Sequence, residues 1–265
     1  MRGNHCYIAR EIQLPFKLKQ PVLAFGAQSK NTLCFAERDT ANLSPGHADL
    51  SRPQDFARFE KTVKYFLRRK PKIIACDPHP GYLSTKYAQL YAKRYPLSAI
   101  QHHHAHIASC MAENGLANQR VLGVAFDGTG LGNDGKLWGG EFLVCDYRSF
   151  RRRASLREIP LLGGEQAIRE PARAAFAWLG LAYGNRAPLY ALRRLGIDNR
   201  RQRVFQQMLS RGFNSPPASS MGRLFDAAAS LILGRPRASF EAELAIELEK
   251  LVGEYGIGAR DTGYL

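Results

Sequence analysis

No stretch of the 265 residues reaches the roughly 18 consecutive apolar residues that a membrane helix needs. The N-terminus, MRGNHCYIAREIQLPF, has no apolar run of the signal-peptide kind. These two absences predict a soluble, cytoplasmic protein with no membrane partner. Cysteine is scarce: Cys6, Cys34, Cys76, Cys110 and Cys145 are odd in number, widely spaced and contain no CxxC. That excludes a paired zinc-ribbon motif, argues against a disulfide framework and fits a reducing compartment. Acidic residues are outnumbered, 23 against 38 Lys and Arg, for a net charge of +15. Much of the excess lies between Arg148 and Arg211, in RSFRRR, ALRRLG and DNRRQR. A solvated basic face or a surface for an acidic partner explains it. No aromatic-interleaved basic motif accompanies it, so nucleic acid is the lesser option.

What is present is an ordinary apolar fraction, 45%, sufficient for a sizeable core in one large domain or two of usual size. VLAFGAQSKNTLCFAE (22–37) reads as two short strands about a turn at Gly26–Asn31, followed by a loop over 39–53. Phe56, Phe59, Val63, Phe66 and Leu67 recur at helical spacing and predict a helix over 56–69. A strand over 72–77, a loop over 77–84, a helix over 85–95 and a short strand over 97–101 follow. A histidine-rich helix then runs from His102 to Asn114 and stops at Gly115. VLGVAFDG and GGEFLVCDY read as strands joined by a TGLGNDGKLW loop, and from Glu165 onward the pattern is mainly helical. The repeated strand–turn–strand predicts two related α/β lobes over 21–118 and 119–265, after an extension over 1–20. This layout is similar, at the level of fold, to the actin, sugar kinase and heat-shock ATPase superfamily.

Three features carry chemistry. His102 and His106 stand four apart in QHHHAHIASCMAENG, so on a helix both imidazoles share one face and can chelate one metal ion. His103 and His104 point off that face, as supporting or surface groups. Asp127, at the end of VLGVAF, is a candidate oxygen ligand or a turn cap. Next, Gly128, Thr129, Gly130, Gly132 and Asp134 form a glycine-rich acidic stretch that could bring backbone N–H groups to a phosphate, with Asp127 or Asp134 on Mg²⁺. An ordinary hairpin would use similar residues. Finally, several groups are candidate substrate contacts: His79 in the proline-stiffened DPHPGY loop, Arg169 and Arg173 at i, i+4, and Arg223 and Asp226 at a helix start. Rigid connections and ion-paired surfaces explain the same residues.

Taken together, QHHHAHIASCMAENG, FDGTGLGNDGKLWGGEF, DPHPGYLSTKYA, GGEQAIREPAR and GRLFDAAASLI resemble, in order, the C-terminal catalytic region of the HypF carbamoyltransferase family. GAQSKNTLCFA and SPGHADL resemble its opening. A more distant resemblance is to the tRNA threonylcarbamoyl transferases; WGGE and DPHPGY fit the first family better. The resemblance implies a carbamoyltransferase of [NiFe]-hydrogenase maturation. Such an enzyme makes carbamoyl-adenylate from carbamoyl phosphate and ATP, then passes the carbamoyl group to the C-terminal cysteine of the acceptor HypE. It implies His102 and His106 as ligands of a divalent transition metal, Fe or Zn, with Asp127 as a further ligand. The family's adenylate-forming domain and its closing second-lobe segment find no counterpart in this sequence. The expectation is therefore an incomplete second lobe, in a fragment or split subunit needing those parts from another chain, or in a non-catalytic partner-binding remnant.

Overall fold

Phe59, Val63 and Phe66 fall on one face of an amphipathic helix, and that face is where the first core forms. The computed structural model describes residues 7–255. Strands β1 (Arg10–Gln13), β2 (Val22–Ala24), β3 (Ser29–Asn31), β4 (Cys34–Glu37), β5 (Thr40–Leu43) and β6 (His47–Asp49) precede helix α1 (Pro53–Leu67). Strand β7 (Ile73–Cys76), helix α2 (Leu83–Gln89), strand β8 (Leu97–Ala99) and helix α3 (His102–Glu113) follow. Six of these strands form a sheet in the order β1-β5-β4-β2-β7-β8. Its β1, β5, β4 and β2 neighbours are antiparallel, whereas β2, β7 and β8 run parallel. Parallel neighbours need crossovers, and α1 and α2 supply them. Leu23, Phe25, Phe35 and Ile74 of the sheet region bury fully against Phe59, Val63 and Phe66 of α1.

The second half begins with β9 (Val121–Leu131) and β10 (Leu137–Cys145), then β11 (Phe150–Ser155) and β12 (Ile159–Pro160). Helices α4 (Gln166–Arg169), α5 (Pro171–Tyr183), α6 (Leu189–Arg194) and α7 (Asn199–Arg211) precede β13 (Pro217–Ala218), α8 (Met221–Leu233) and α9 (Glu243–Tyr255). The second sheet has the order β11-β10-β13-β12, with β9 on β10. Two compact units result. Among the described residues, one holds 7–125, 131–133 and 142–153; the other holds 126–130, 134–141 and 154–255. The chain therefore crosses from one unit to the other in the β9–β10 hairpin and again in β11. The second unit has its own core, in which alanines of α5 (Ala172, Ala174, Ala175) and α8 (Ala227) pack with Phe176, Leu192, Leu195 and Phe205.

Several elements differ from the sequence expectation. The turn at Gly26–Asn31 contains β3, and the loop expected over 39–53 contains β5 and β6. These strands are three or four residues long and lack a clear apolar alternation. They exist because neighbours pair with them: β5 lies between β1 and β4, and β3 pairs with β6. The expected extension before residue 21 supplies β1, the edge of the sheet. Helix α2 stops at Gln89 rather than Tyr95. The hairpin strand extends through Leu131, so Gly128, Thr129 and Gly130 are strand residues, and the loop is confined to 132–136. No helix among the described residues is long and apolar enough to cross a membrane.

Candidate metal centre

The carboxyl ends of β2, β7 and β8 lie side by side in the first sheet, which is where parallel α/β sheets gather ligand-binding groups. Strand β7 ends at Cys76, and the next residue, Asp77, is buried. One carboxylate oxygen of Asp77 accepts the His79 N–H at 2.8 Å. The other accepts from His102 Nδ1 at 2.7 Å. Thr85 Oγ1 donates to the Asp77 carbonyl at 2.8 Å, tying the loop to α2. Strand β8 runs into Gln101, whose side-chain oxygen caps α3 by accepting the His104 N–H at 2.9 Å. Gln101 Nε2 also donates to the Leu131 carbonyl at 3.2 Å. The first helical residue is therefore His102, held at a fixed azimuth.

His102 and His106 share one face of α3, and their Nε2 atoms lie 3.2 Å apart. Because His102 Nδ1–H donates to the Asp77 carboxylate, its Nε2 carries the lone pair. This carboxylate–histidine pairing fixes tautomer and ring angle in metal sites. Zinc–nitrogen bonds of about 2.0–2.1 Å at tetrahedral angles would put two donors about 3.3 Å apart. The observed separation fits that edge, so the pair suits a divalent transition metal. The expected supporting or surface placement of His103 and His104 resolves to burial for both. His103 Nδ1 meets Gln101 Nε2 at 3.2 Å, and His104 Nε2 donates to the Asp146 carbonyl at 2.7 Å. Both anchor α3 rather than face the pair. Gly123 of β9 lets α3 come close, since a Cβ there would lie 2.3 Å from Ile107 Cδ1.

A cavity of roughly 440 Å³ opens beside the two histidines within the first unit. Small residues, Ala24, Gly26, Ala27, Ala75 and Ala105, form much of its wall, with Cys34, Cys76, Asp77 and Lys30. Burial pushes the Cys34 thiol up to about 11. Burial, and then the Asp77 charge, also raises Cys76. Both sulphurs are therefore protonated at neutral pH and poorly suited as nucleophiles.

The other sequence candidates fall as follows. Asp127 stands on β9 two residues after Ala125, and its Oδ1 accepts the Gly128 N–H at 2.6 Å. The phosphate-loop form expected for Gly128, Thr129 and Gly130 is replaced by a strand paired with β10. The glycine at 139 has a packing reason: a Cβ there would sit 2.8 Å from the Asp127 carbonyl and 3.0 Å from that of Gly128. Gly132 opens the turn, and Asp134 caps it, accepting from Lys136 N–H at 3.1 Å and Trp138 Nε1–H at 2.9 Å. His79 accepts the Gly81 N–H at 3.1 Å and stacks on Tyr82 at 4.2 Å, and it does not line the histidine cavity. Arg169 and Arg173 do not form the expected i, i+4 pair. The helix breaks at Glu170, before Pro171, so exposed Arg169 ends α4 while Arg173 Nε donates to Glu170 at 2.5 Å. Arg223 and Asp226 are buried and ion-paired to each other at 2.8 Å inside α8. Burial, opposed by the Arg223 charge, raises Asp226.

Sequence reasoning passed over Asp77 as a functional group. Its signal was available: an acid directly after a buried strand, opening a proline-bracketed loop. No residue spacing links it to His102, 25 positions later; only the parallel pairing of β7 with β8 does so.

Residues 17–113 match the model of the HypF Kae1-like domain, and residues 123–262 match that of the carbamoyltransferase Kae1-like domain, second subdomain. Carbamoyltransferase HypF2 of Cupriavidus necator is 38% identical over 97% of this chain and 32% of its own length. Carbamoyltransferase HypF of Synechocystis sp. is 36% identical over 94% of this chain and 34% of its own. A HypF homolog of Cupriavidus necator is 40% identical over 89% of this chain and 60% of its own. The crystal structure of full-length HypF in its phosphate- and nucleotide-bound form superposes with a TM-score of 0.83 at 38% identity, over 92% of this chain and 32% of that one. The crystal structure of T. kodakarensis HypF gives 0.83 at 32% identity, over 92% and 34%. The chain thus spans about a third of the length of most of these relatives. With both Kae1-like models matched and relatives 36–40% identical, the chain belongs to the HypF carbamoyltransferases, a family of enzymes.

Proposed function

We propose that this chain supplies the carbamoyl-transfer site of a HypF-type enzyme acting in hydrogenase maturation. The observation that carries the reading is the Asp77–His102–His106 arrangement, with two Nε2 atoms converging at 3.2 Å beside a small-residue cavity. His102 and His106 would hold a divalent transition metal, Fe or Zn, and Asp127 is the acid proposed as the third ligand. Such an ion, when bound, polarises a carbonyl or phosphoryl oxygen. Asp77 keeps His102 in the tautomer that can ligate. The small residues of the cavity wall leave room for a carbamoyl group.

The donor substrate is carbamoyl-adenylate, formed from carbamoyl phosphate and ATP with accompanying magnesium. The acceptor is the C-terminal cysteine of a HypE-type protein. Its thiolate forms a C–S bond to the carbamoyl carbon, the C–O bond to the phosphate breaks, and AMP leaves with the electron pair. The thiol proton passes to solvent. Gly128, Thr129, Gly130 and Gly132 remain proposed nucleotide neighbours through their backbone. Transfer would take place in the cytoplasm, with an adenylate-forming domain and the remaining second-lobe segment as partners.

The test is reconstitution. The chain is combined with the segments of a full-length relative that lie outside the match, carbamoyl phosphate, ATP and a HypE-type acceptor. Mass spectrometry of the acceptor's terminal peptide should find one carbamoyl group on cysteine with the wild-type chain and none with His102→Ala/His106→Ala. Equal modification by both chains would remove the histidine pair from the reaction.

A further inference from the structure

We infer that Lys30 forms an anion subsite facing the histidine cavity, which takes a carboxylate or phosphate group of a substrate. The inference rests on the transfer reading for what the substrate is, but not for the anion binding itself. Lys30 lies within β3 at φ +49°, in the left-handed region that a lysine rarely adopts. Two other basic residues of this unit with positive φ have ordinary structural reasons: Arg38 turns β4 into β5, and Lys70 follows the end of α1. Lys30 instead sits inside a strand, between the paired residues Ser29 and Asn31.

Its conformation is imposed by its neighbours. Asn31 is buried, and its side-chain amide donates to the carbonyls of Phe25 at 2.8 Å and Ala27 at 2.6 Å. Ser29 and Asn31 pair with Asp49 and His47 of β6 on either side of Lys30. Strained residues held by surrounding structure cluster at ligand sites.

The chemistry of the cavity supplies the second observation. Lys30 lines it together with Asp77, His102 and His106, and it is the one Lys or Arg in that lining. Asp77 is committed to His102, and Lys30 forms no ion pair with a described residue. The remaining wall is largely alanine, glycine and protonated cysteine, which offers an anion no competing charge. An exposed lysine on the lining of a cavity with a histidine pair, where the one carboxylate is held by His102, is a site for one anionic group. Two sources share that chemistry: the terminal carboxylate of an acceptor peptide ending in cysteine, and the phosphate of an adenylate.

The variants separate folding from binding. Lys30→Gly removes the charge and relieves the left-handed strain, so its melting temperature should equal or exceed that of the wild type. Lys30→Arg keeps the charge. Binding to the full chain is measured by calorimetry with four probes: a peptide ending in cysteine as the free acid, the same peptide amidated, AMP and adenosine. For the anion that Lys30 holds, affinity should fall roughly tenfold or more in Lys30→Gly, as expected for losing a hydrogen bond to a charged group, and be retained in Lys30→Arg. A difference limited to free acid over amide assigns the carboxylate; one limited to AMP over adenosine assigns the phosphate. Lack of any wild-type versus Lys30→Gly difference, including no measurable binding of either anion, overturns the subsite. If the anion difference holds while reconstituted transfer fails, the subsite stands and the transfer reading does not.

Discussion

Replacing Asp77 by Asn isolates the contribution of one carboxylate to the proposed metal centre. Asp77 accepts two hydrogen bonds, one per oxygen: from His79 N–H at 2.8 Å and from His102 Nδ1–H at 2.7 Å. Asn offers one carbonyl oxygen and one NH₂, so it can accept only one of the two. If the oxygen stays on the His79 amide, the NH₂ faces His102 and drives the imidazole to the other tautomer, with its proton on Nε2. The Nε2 lone pair, 3.2 Å from His106 Nε2, is then lost. If the oxygen stays on His102, the tautomer survives, but the loop loses the bond that places residue 77. Both outcomes leave the metal with a poorer ligand. Outer partners of ligating histidines change metal affinity by about 10–100-fold when mutated, which corresponds to roughly 1.4–2.7 kcal/mol. Asp77→Ala removes both acceptors and should lie at the upper end. Zinc affinity is read by competition with a chromophoric chelator, with circular dichroism to confirm folding. An Asp77→Asn protein that binds zinc as tightly as the wild type would refute the tautomer reasoning.

Further expectations concern the frame around the site. Phe59 is fully buried and meets Phe25, Phe56 and Tyr87 rings at 5.5–5.9 Å, so Phe59→Ala should cost about 3–5 kcal/mol in urea unfolding. Burial lowers the affinity of His47 for a proton, with the Arg58 charge adding to this and a hydrogen bond to the Asn31 backbone carbonyl opposing it. The unfolded chain then binds a proton that the folded chain resists. Wild-type stability should be flat above pH about 6.5 and fall as the pH drops below it, and His47→Gln should have a shallower fall in the same thermal melts. Glu170 is buried with Arg173, Arg201 and Arg237 around it. Glu170→Ala should destabilise by about 2–3 kcal/mol, less than a fully buried pair because two of the arginines keep solvent; an unchanged melting temperature would contradict that role.

Much of the first unit was legible because local periodicity and tertiary demand agree there. The apolar face of α1, the short strand β7 and the stop of α3 near Gly115 all follow from spacing and turn residues. The histidine pair was legible for the same reason, since i, i+4 is a property of the helix itself. The short strands β3, β5 and β6 were not, because pairing partners rather than their own residues make them strands. The glycines at 128 and 130 looked like a loop but are strand residues, and the glycine that close backbone approach requires is Gly139 on the facing strand, a use of glycine that sequence alone does not separate from a turn. The failed Arg169–Arg173 pair carried its own warning: Pro171 disfavours helix at the residue before it, and Glu170 indeed leaves it. Asp77 needed the sheet order, because its partner His102 is reached through the β7–β8 pairing.

The central claim is that His102 and His106 jointly ligate one metal ion through their Nε2 atoms. The direct measurement is metal content together with X-ray absorption on zinc-loaded protein, for the wild type and for His102→Ala/His106→Ala. One zinc per wild-type chain is expected, with imidazole nitrogen at about 2.0–2.1 Å, and loss of that ion from the folded double variant. Equal metal content in the two proteins, or a spectrum without imidazole ligands in the wild type, would contradict it.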